Sequence, residues 1–217
     1  MYNIIVAFCK NAGIGYKNEL PWKISKDLIK FQKLTTGNGN NAVIMGKNTF
    51  LSNKFLKNRD NLVLSTSLQL DKKYNNHILK SFHDIELLLQ FIQSKNYNKV
   101  WIIGGESIYK LFLQKEKVDY IYNTYIEEEF KCDAFMAKIP NNFLLYHSIN
   151  ILDKTKNNNN ILNMIYKKIK KGDVLLYKGD KKCEIMGVHY DDMPNLYFTI
   201  KIDDNEKQTN LSNLTYI

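Results

Sequence analysis

Arginine is almost missing from this sequence. Lys and Arg together number 31 in 217 residues, and Arg59 is the sole arginine. Cysteine is also scarce. Cys9, Cys132 and Cys183 are odd in number, far apart and without a CxxC pair, which argues against a disulfide framework or a zinc site. Plain thiols suit a reducing compartment, so a cytoplasmic location is expected. No apolar run approaches the ~20 residues of a membrane-spanning helix. The apolar run at residues 4–9 is too short for a cleaved leader and is followed by Gly-rich punctuation, so it reads as a buried strand in a soluble protein. The patterns GxGxxG and GxxxxGK[ST] do not occur, which excludes a standard Rossmann or P-loop site. Acidic residues number 22, leaving a net charge of +9. Charge alone would admit a nucleic acid, but an anionic cofactor or substrate would profit from the same field. Nucleic acid is not the expected partner.

Hydrophobic residues make up 44%, enough for a packed core. Short apolar or β-branched runs at residues 4–7, 41–45, 61–64, 100–103, 120–126 and 161–167 read as strands. Helical patterns lie between them. Residues 25–33 open with a Ser that can cap and continue with Leu28, Phe31 and Leu34 at helical spacing. Residues 83–94 carry Ile85, Leu88, Leu89 and Ile92 on one face, and a short helix spans 107–113. Strands alternating with helices predict an α/β fold with a mixed, mostly parallel central sheet flanked by helices. The polar tract 157–160 reads as a hairpin loop between the last two strands of that sheet.

The pattern changes at Lys170-Lys171-Gly172-Asp173. Beyond it come only short strands, at 174–177, 183–190, 197–202 and the chain end. Turn signals separate them at Lys178-Gly179-Asp180, Asp191-Asp192-Met193-Pro194 and Asp203-Asp204-Asn205. Two domains are expected: residues 1–169, and a small all-β, barrel-like module at 170–217. From Gly172 onward five Lys face eight Asp and Glu, a net −3, which leaves +12 for the remainder. The basic character belongs to the first domain.

Chemistry-bearing residues also concentrate there. A Gly-bearing loop with Ile14 and Gly15 leads to Leu20-Pro21-Trp22, which read alone is a turn and a core Trp. Asp27 follows within the first turns of a helix, beside Leu28 and Phe31. It is either a solvent-facing carboxylate or one kept among apolar neighbours by something it binds. Val43-Ile44-Met45-Gly46-Lys47-Asn48-Thr49 passes from a buried strand through a Gly into a helix start with a Lys. Trp101-Ile102-Ile103-Gly104-Gly105-Glu106-Ser107-Ile108-Tyr109 repeats that design. Backbone N–H groups at such points suit phosphates, and two on neighbouring strands could hold a dinucleotide across the strand ends. Arg59 is either an accidental surface residue or a planar fork kept for a carboxylate or phosphate.

The order of these pieces carries more than any one of them. Gly-Ile-Gly, Leu-Pro-Trp, Asp, Val-Ile-Met-Gly-Lys-x-Thr, Arg-x-Asn-Leu-Val-Leu-Ser and Trp-Ile-Ile-Gly-Gly-x-x-Ile-Tyr follow one another as in the dihydrofolate reductase family, which residues 1–169 resemble. The resemblance implies NADPH-dependent reduction of 7,8-dihydrofolate to tetrahydrofolate, in support of one-carbon metabolism and thymidylate synthesis, and inhibition by antifolates such as methotrexate. It makes Asp27 the active-site carboxylate that holds the pterin N3 and 2-amino group. Thr124 would hydrogen-bond Asp27, and Trp22 would position a water. Ile5, Val6, Ala7, Leu28, Phe31, Leu56 and Ile103 would line the pterin and aminobenzoyl pocket. Arg59 would clamp the glutamate α-carboxylate. Ala7, Ile14, Gly15, Gly46, Lys47, Asn48, Thr49, Leu64, Ser65, Thr66, Gly104, Gly105, Glu106, Ser107, Ile108 and Tyr109 would bind NADPH. The family's cis peptide is expected at Gly104-Gly105.

Departures from the family pattern are informative. Cys132-Asp133-Ala134-Phe135-Met136 keeps an Asp and a Phe but lacks the usual Thr and Pro, which puts the packing of this loop on the active-site loop in question. Thr66 stands where a basic residue often favours the 2′-phosphate, and Lys80 is the candidate to supply that charge. Two other readings of the first domain are a riboflavin-pathway reductase of the same fold and a folate or nucleotide binder without turnover. The tail resembles small SH3-like or Tudor-like barrels. Its Tyr190, Tyr197 and Phe198 are either core or a recognition pocket for an unknown protein partner.

Overall fold

A computed structural model describes residues 1–155, 157–190 and 196–217. The tract 157–160 lies beside one undescribed residue, and the turn at Asp191-Asp192-Met193-Pro194 falls outside the described residues. In chain order the elements are β1 (Tyr2–Cys9), β2 (Gly13–Gly15), α1 (Ser25–Thr36), β3 (Asn41–Gly46), α2 (Lys47–Asn53), β4 (Asp60–Leu64), β5 (Asp71–Tyr74), β6 (His77–Phe82) and α3 (Ile85–Gln93). There follow β7 (Lys99–Ile102), α4 (Glu106–Gln114), β8 (Val118–Ile126), β9 (Ala134–Phe135), β10 (Phe143–Lys154) and β11 (Asn160–Lys168). The chain ends with β12 (Val174–Tyr177), β13 (Lys181–Tyr190), β14 (Leu196–Ile202), β15 (Asn205–Thr209), a 3₁₀ turn (Leu211–Asn213) and β16 (Leu214–Tyr216).

The chain divides into two compact units. One comprises Met1–Ala137 with Ile149–Asn163; the other comprises Lys138–Ser148 with Met164–Ile217. The dividing line therefore crosses β10 and β11 instead of falling once near residue 170. A nine-stranded sheet runs in the order β10-β11-β8-β1-β7-β3-β4-β6-β5. Neighbours from β8 to β6 are parallel, and the edge strand β5 is antiparallel to β6. Parallel strands covered on both faces lose the alternation of half-buried strands. Accordingly the first five residues of β3 and the first four of β4 are all buried. Ile5, Val43, Met45, Val63, Leu79, Trp101 and Ile103 form a core cluster, against which Phe31, Leu34, Phe50 and Leu56 pack.

Helix α3 matches its sequence pattern: Leu88, Leu89 and Ile92 are buried, and the Asp84 carboxylate caps its start by accepting from the Glu86 and Leu87 N–H groups. Helix α1 differs from expectation. Its N-cap position is Ile24 and no side chain caps it, so Ser25 does not play that role. Leu28 and Ile29 are 52% and 66% exposed, and Thr35 is the only fully buried residue of the helix.

The second unit holds a five-stranded antiparallel sheet in the order β15-β14-β13-β12-β16. Ile169, Leu175, Cys183, Ile185, Phe198, Ile200 and Leu214 form its core. Of the two readings of the tail's aromatics, the pocket is not assembled among the described residues. Tyr197 and Phe198 are adjacent in β14, so they face opposite sides of the sheet. Phe198 is fully buried, whereas Tyr197 stacks on His189 with ring centroids 4.8 Å apart. Tyr190 is mostly exposed, and its hydroxyl accepts a hydrogen bond from Asn142 Nδ2 at 2.7 Å.

Candidate active site

Within the first unit, the carboxyl ends of β1, β3, β4 and β7 open onto one cleft of about 1330 Å³. In open α/β sheets ligands bind at that end, and the volume exceeds the ~300–1,000 Å³ typical of a single small-molecule site. Ile5, Val6 and Ala7 from β1 line it, with Asp27, Leu28 and Phe31 from α1 and Ile103 at the end of β7. Ile14, Gly15, Gly46, Lys47, Asn48, Thr49, Leu64, Ser65, Thr66, Gly105, Glu106, Ser107, Ile108 and Tyr109 line the rest. The exposed Leu28 of α1 thus faces the cleft.

The cleft floor depends on close backbone approach. Gly46 N donates to Gly104 O at 2.8 Å, and a Cβ on Gly46 would lie 3.1 Å from Ile108 Cγ1. Gly104 has φ +108°, and a Cβ there would sit 3.0 Å from the Tyr109 ring. The Gly104-Gly105 peptide is cis, as the resemblance implied. Tyr109 is buried, its hydroxyl donates to Ile5 O at 3.0 Å, and burial beside Asp27 pushes its pKa far up. These contacts bring the start of α4 against β1 and β3, leaving backbone where a dinucleotide could lie close.

Asp27 sits in the cleft wall. Thr124 of β8, 1% exposed, donates from Oγ1 to Asp27 Oδ1 at 2.5 Å. Burial raises the Asp27 pKa, while the Thr124 bond and the charge of Lys30 pull it back. Trp22 stands outside the lining residues, edge-on to Phe130 at 5.4 Å, with a buried Nε1 that has no partner among the described residues. Arg59 is 4% exposed and is likewise not in the lining. Its Nε donates to Lys57 O at 2.9 Å, its Nη1 donates to Thr35 Oγ1, and the guanidinium lies 5.9 Å from the ring of Phe31, which does line the cleft. The accidental-surface reading of Arg59 is thereby excluded.

A family model for dihydrofolate reductase matches residues 1–168. The chain is 33% identical over 151 residues to the dihydrofolate reductase of Drosophila melanogaster, covering 65% of this chain and 82% of that protein. It is 38% identical over 147 residues to that of Gallus gallus, covering 63% and 78%. It is 36% identical over 162 residues to the bifunctional dihydrofolate reductase-thymidylate synthase of Paramecium tetraurelia, covering 74% of this chain but only 32% of that protein. The chain belongs to the dihydrofolate reductase family. It is accordingly an oxidoreductase.

Three expectations need correcting. Lys80 does not line the cleft: its ammonium is paired with Asp71 at 2.5 Å, across the β5–β6 hairpin. Leu56 packs into the core cluster instead of lining the cleft, its backbone held in both directions by the Asn61 amide. The loop that departs from the family pattern still docks on the active-site loop. Strand β9 pairs with β2, Asp133 Oδ2 accepts from Lys17 N at 2.9 Å, and Met136 N donates to Ala12 O at 2.8 Å. Backbone pairing and the retained Asp supply what the missing Thr and Pro do not.

Two residues of the site escaped the sequence reading. Lys30 and Asn163 join the Asp27–Thr124 pair: Lys30 Nζ donates to Thr124 Oγ1 at 3.0 Å and to Asn163 Oδ1 at 2.5 Å. The three-residue spacing of Asp27 and Lys30 on one helix face was the available signal. Nothing in the sequence marks Asn163.

Proposed function

We propose that this protein reduces 7,8-dihydrofolate to 5,6,7,8-tetrahydrofolate with NADPH, and that Asp27, Thr124, Trp22 and Arg59 serve the substrate. The observation that carries this is a half-buried carboxylate, Asp27, fixed by Thr124 in the wall of a cleft large enough for two ligands. In this reading Asp27 accepts hydrogen bonds from the pterin N3 and 2-amino group, while Phe31 and Leu28 pack on the aromatic portion. Arg59 has N–H groups left over after its two internal bonds, and these would meet the glutamate carboxylate.

The glycine cradle and the Lys47–Ser67 pair suit a dinucleotide phosphate. Lys47 Nζ donates to Ser67 Oγ at 3.0 Å, and Ser65, Thr66 and Ser67 line the cleft beside it. We assign the 2′-phosphate to this hydroxyl-rich cluster, in place of Lys80, and NADPH preference follows from it. Bound there, the nicotinamide would supply the hydride. The protein's part is to align the two ligands, exclude water and keep a negative charge beside the pterin.

In the second unit a four-stranded meander is closed by β16 returning beside β12, after a 3₁₀ turn. That order supports reading it as an SH3-like barrel. The three free thiols suit a cytosolic location.

The test of the activity is loss of NADPH absorbance with purified protein and dihydrofolate, with and without methotrexate. A methotrexate-sensitive decay supports the reading. A folded protein that binds NADPH yet leaves dihydrofolate unchanged overturns it in favour of another reductase of this fold or of a binder.

A further inference from the structure

We propose that Lys30 is a positioning residue for this reaction, one that orients the Thr124 hydroxyl toward Asp27 and holds the Asp27 carboxylate ionised. The proposal rests on the functional reading above and adds a residue to it.

Lysines normally keep their ammonium in water. Lys30 does not. It is half-buried, and its Nζ turns inward, to Thr124 Oγ1 at 3.0 Å and Asn163 Oδ1 at 2.5 Å. Burial lowers its pKa, and the nearby Asp27 charge opposes that drop. A desolvated ammonium is costly unless paired and hydrogen-bonded, so an apolar side chain of the same length would be easier to place at this point of α1.

The hydroxyl of Thr124 has one proton and two lone pairs. Two acceptors lie within its reach: Asp27 Oδ1 at 2.5 Å and Asn163 Oδ1 at 3.3 Å. Lys30 donates both to that hydroxyl and to the competing Asn163 oxygen. It thereby occupies a Thr124 lone pair and satisfies the rival acceptor, leaving the Thr124 proton for Asp27. Its positive charge, one hydroxyl away, stabilises the carboxylate directly as well.

Among the described residues, the other groups facing Asp27 add no charge. Tyr109, from α4, is buried and stays neutral, its own hydroxyl engaged with Ile5 O; Thr124 comes from β8. Lys30 is thus the charged side chain that opposes the desolvation of Asp27.

The experiment uses the full chain without ligand. Asp27 is titrated by NMR of ¹³C-carboxyl-labelled aspartate, assigned with Asp27→Asn. Removing a positive charge raises the pKa of every group near it. Lys30→Met is therefore expected to move the Asp27 midpoint up by about one pH unit, a tenfold change in the ionised fraction at a fixed pH. Lys30→Arg should return it toward the wild-type position. With dihydrofolate, the kcat/KM profile of Lys30→Met should move to higher pH in the same sense, which a packing role alone would not produce. An Asp27 midpoint that is identical in wild type and Lys30→Met overturns the proposal.

If Lys30→Met does not fold, the coupling is read from the other side, since it is reciprocal. The Lys30 ammonium, titrated by ¹⁵N NMR, should have a lower midpoint in Asp27→Asn than in wild type; no difference overturns the proposal equally. A wild-type chain that shows the expected titrations but does not turn over dihydrofolate overturns the functional reading alone and leaves the Lys30–Asp27 coupling standing.

Discussion

The two compact units bury different kinds of residue. In the second, seven apolar side chains form the core, and Asn142 and Thr209 are the buried polar residues among those described. The first buries Asn3, Thr35, Asn41, Arg59, Asp60, Asn61, Asn123 and Thr124. A buried polar group is costly unless hydrogen-bonded, so what each one bonds to is informative. Asn41 and Asn61 bond to nearby backbone, Asn41 to Thr35 O and Lys99 N, Asn61 to Leu56 O and Arg59 O. Asp60 takes a backbone N–H and the Tyr97 hydroxyl. These fix loops. Thr124, Lys30 and Asn163 instead bond to one another and, through Thr124, to Asp27, which lines the cleft. Burial alone does not mark function; a polar set closed upon itself around one buried hydroxyl beside a cleft does.

The sharpest way to break that contrast is to damage each unit in its own terms. Phe198 is fully buried in the second unit's core, and Phe198→Ala is expected to cost about 3–5 kcal/mol in urea denaturation. A loss below about 1 kcal/mol would mean that this unit does not depend on its apolar core. Asp27→Asn should do the reverse. At neutral pH turnover is expected to fall by about 100-fold, with partial recovery in acid, where solvent can protonate the substrate. A residual rate independent of pH would remove Asp27 from the reaction. Stability should not suffer. Burial lifts the folded-state pKa of Asp27 above its unfolded value, so its favourable contribution is present in acid and is lost as pH rises through the folded pKa. Asn carries no such loss, and the variant should melt no lower than wild type at neutral pH.

Much of the first unit was readable because its parallel strands are covered on both faces. Strands β3, β4 and β7 stand out as continuous apolar runs, and the two Gly-bearing segments that follow β3 and β7 mark the cleft. Strands β5 (Asp-Lys-Lys-Tyr) and β15 (Asn-Glu-Lys-Gln-Thr) did not stand out. They are exposed edge strands held by backbone pairing, and their charged composition suits an edge that must not recruit another chain. The compact units divide within β10 and β11, which each contribute residues to both, a feature that no composition shift reports. Asp27 and Thr124 were found through the family resemblance, not from their own patterns. Lys30 was hidden by abundance: in so lysine-rich a chain, one that turns inward looks like any other. Arg59 was visible for the opposite reason, being alone.

Arg59 is where the contrast between structural and functional burial is finest, since it does something of both. Its Nε bond to Lys57 O and its Nη1 bond to Thr35 Oγ1 hold it in place, and Thr35 in turn donates to Phe31 O at 2.7 Å. Burial lowers its pKa, yet a guanidinium remains charged where an ammonium would be less secure. Arg59→Lys keeps the charge and loses the planar fork. If the remaining N–H groups grip the glutamate carboxylate, far from the reacting atoms, the loss is felt equally in ground and transition states. KM for dihydrofolate should then rise about tenfold, or ~1.4 kcal/mol, with kcat nearly unchanged. A dihydropteroate substrate without the glutamate should be handled alike by both proteins. An unchanged KM for dihydrofolate would place Arg59 with Asn41 and Asn61, among the polar groups that the first unit buries only to fix its loops.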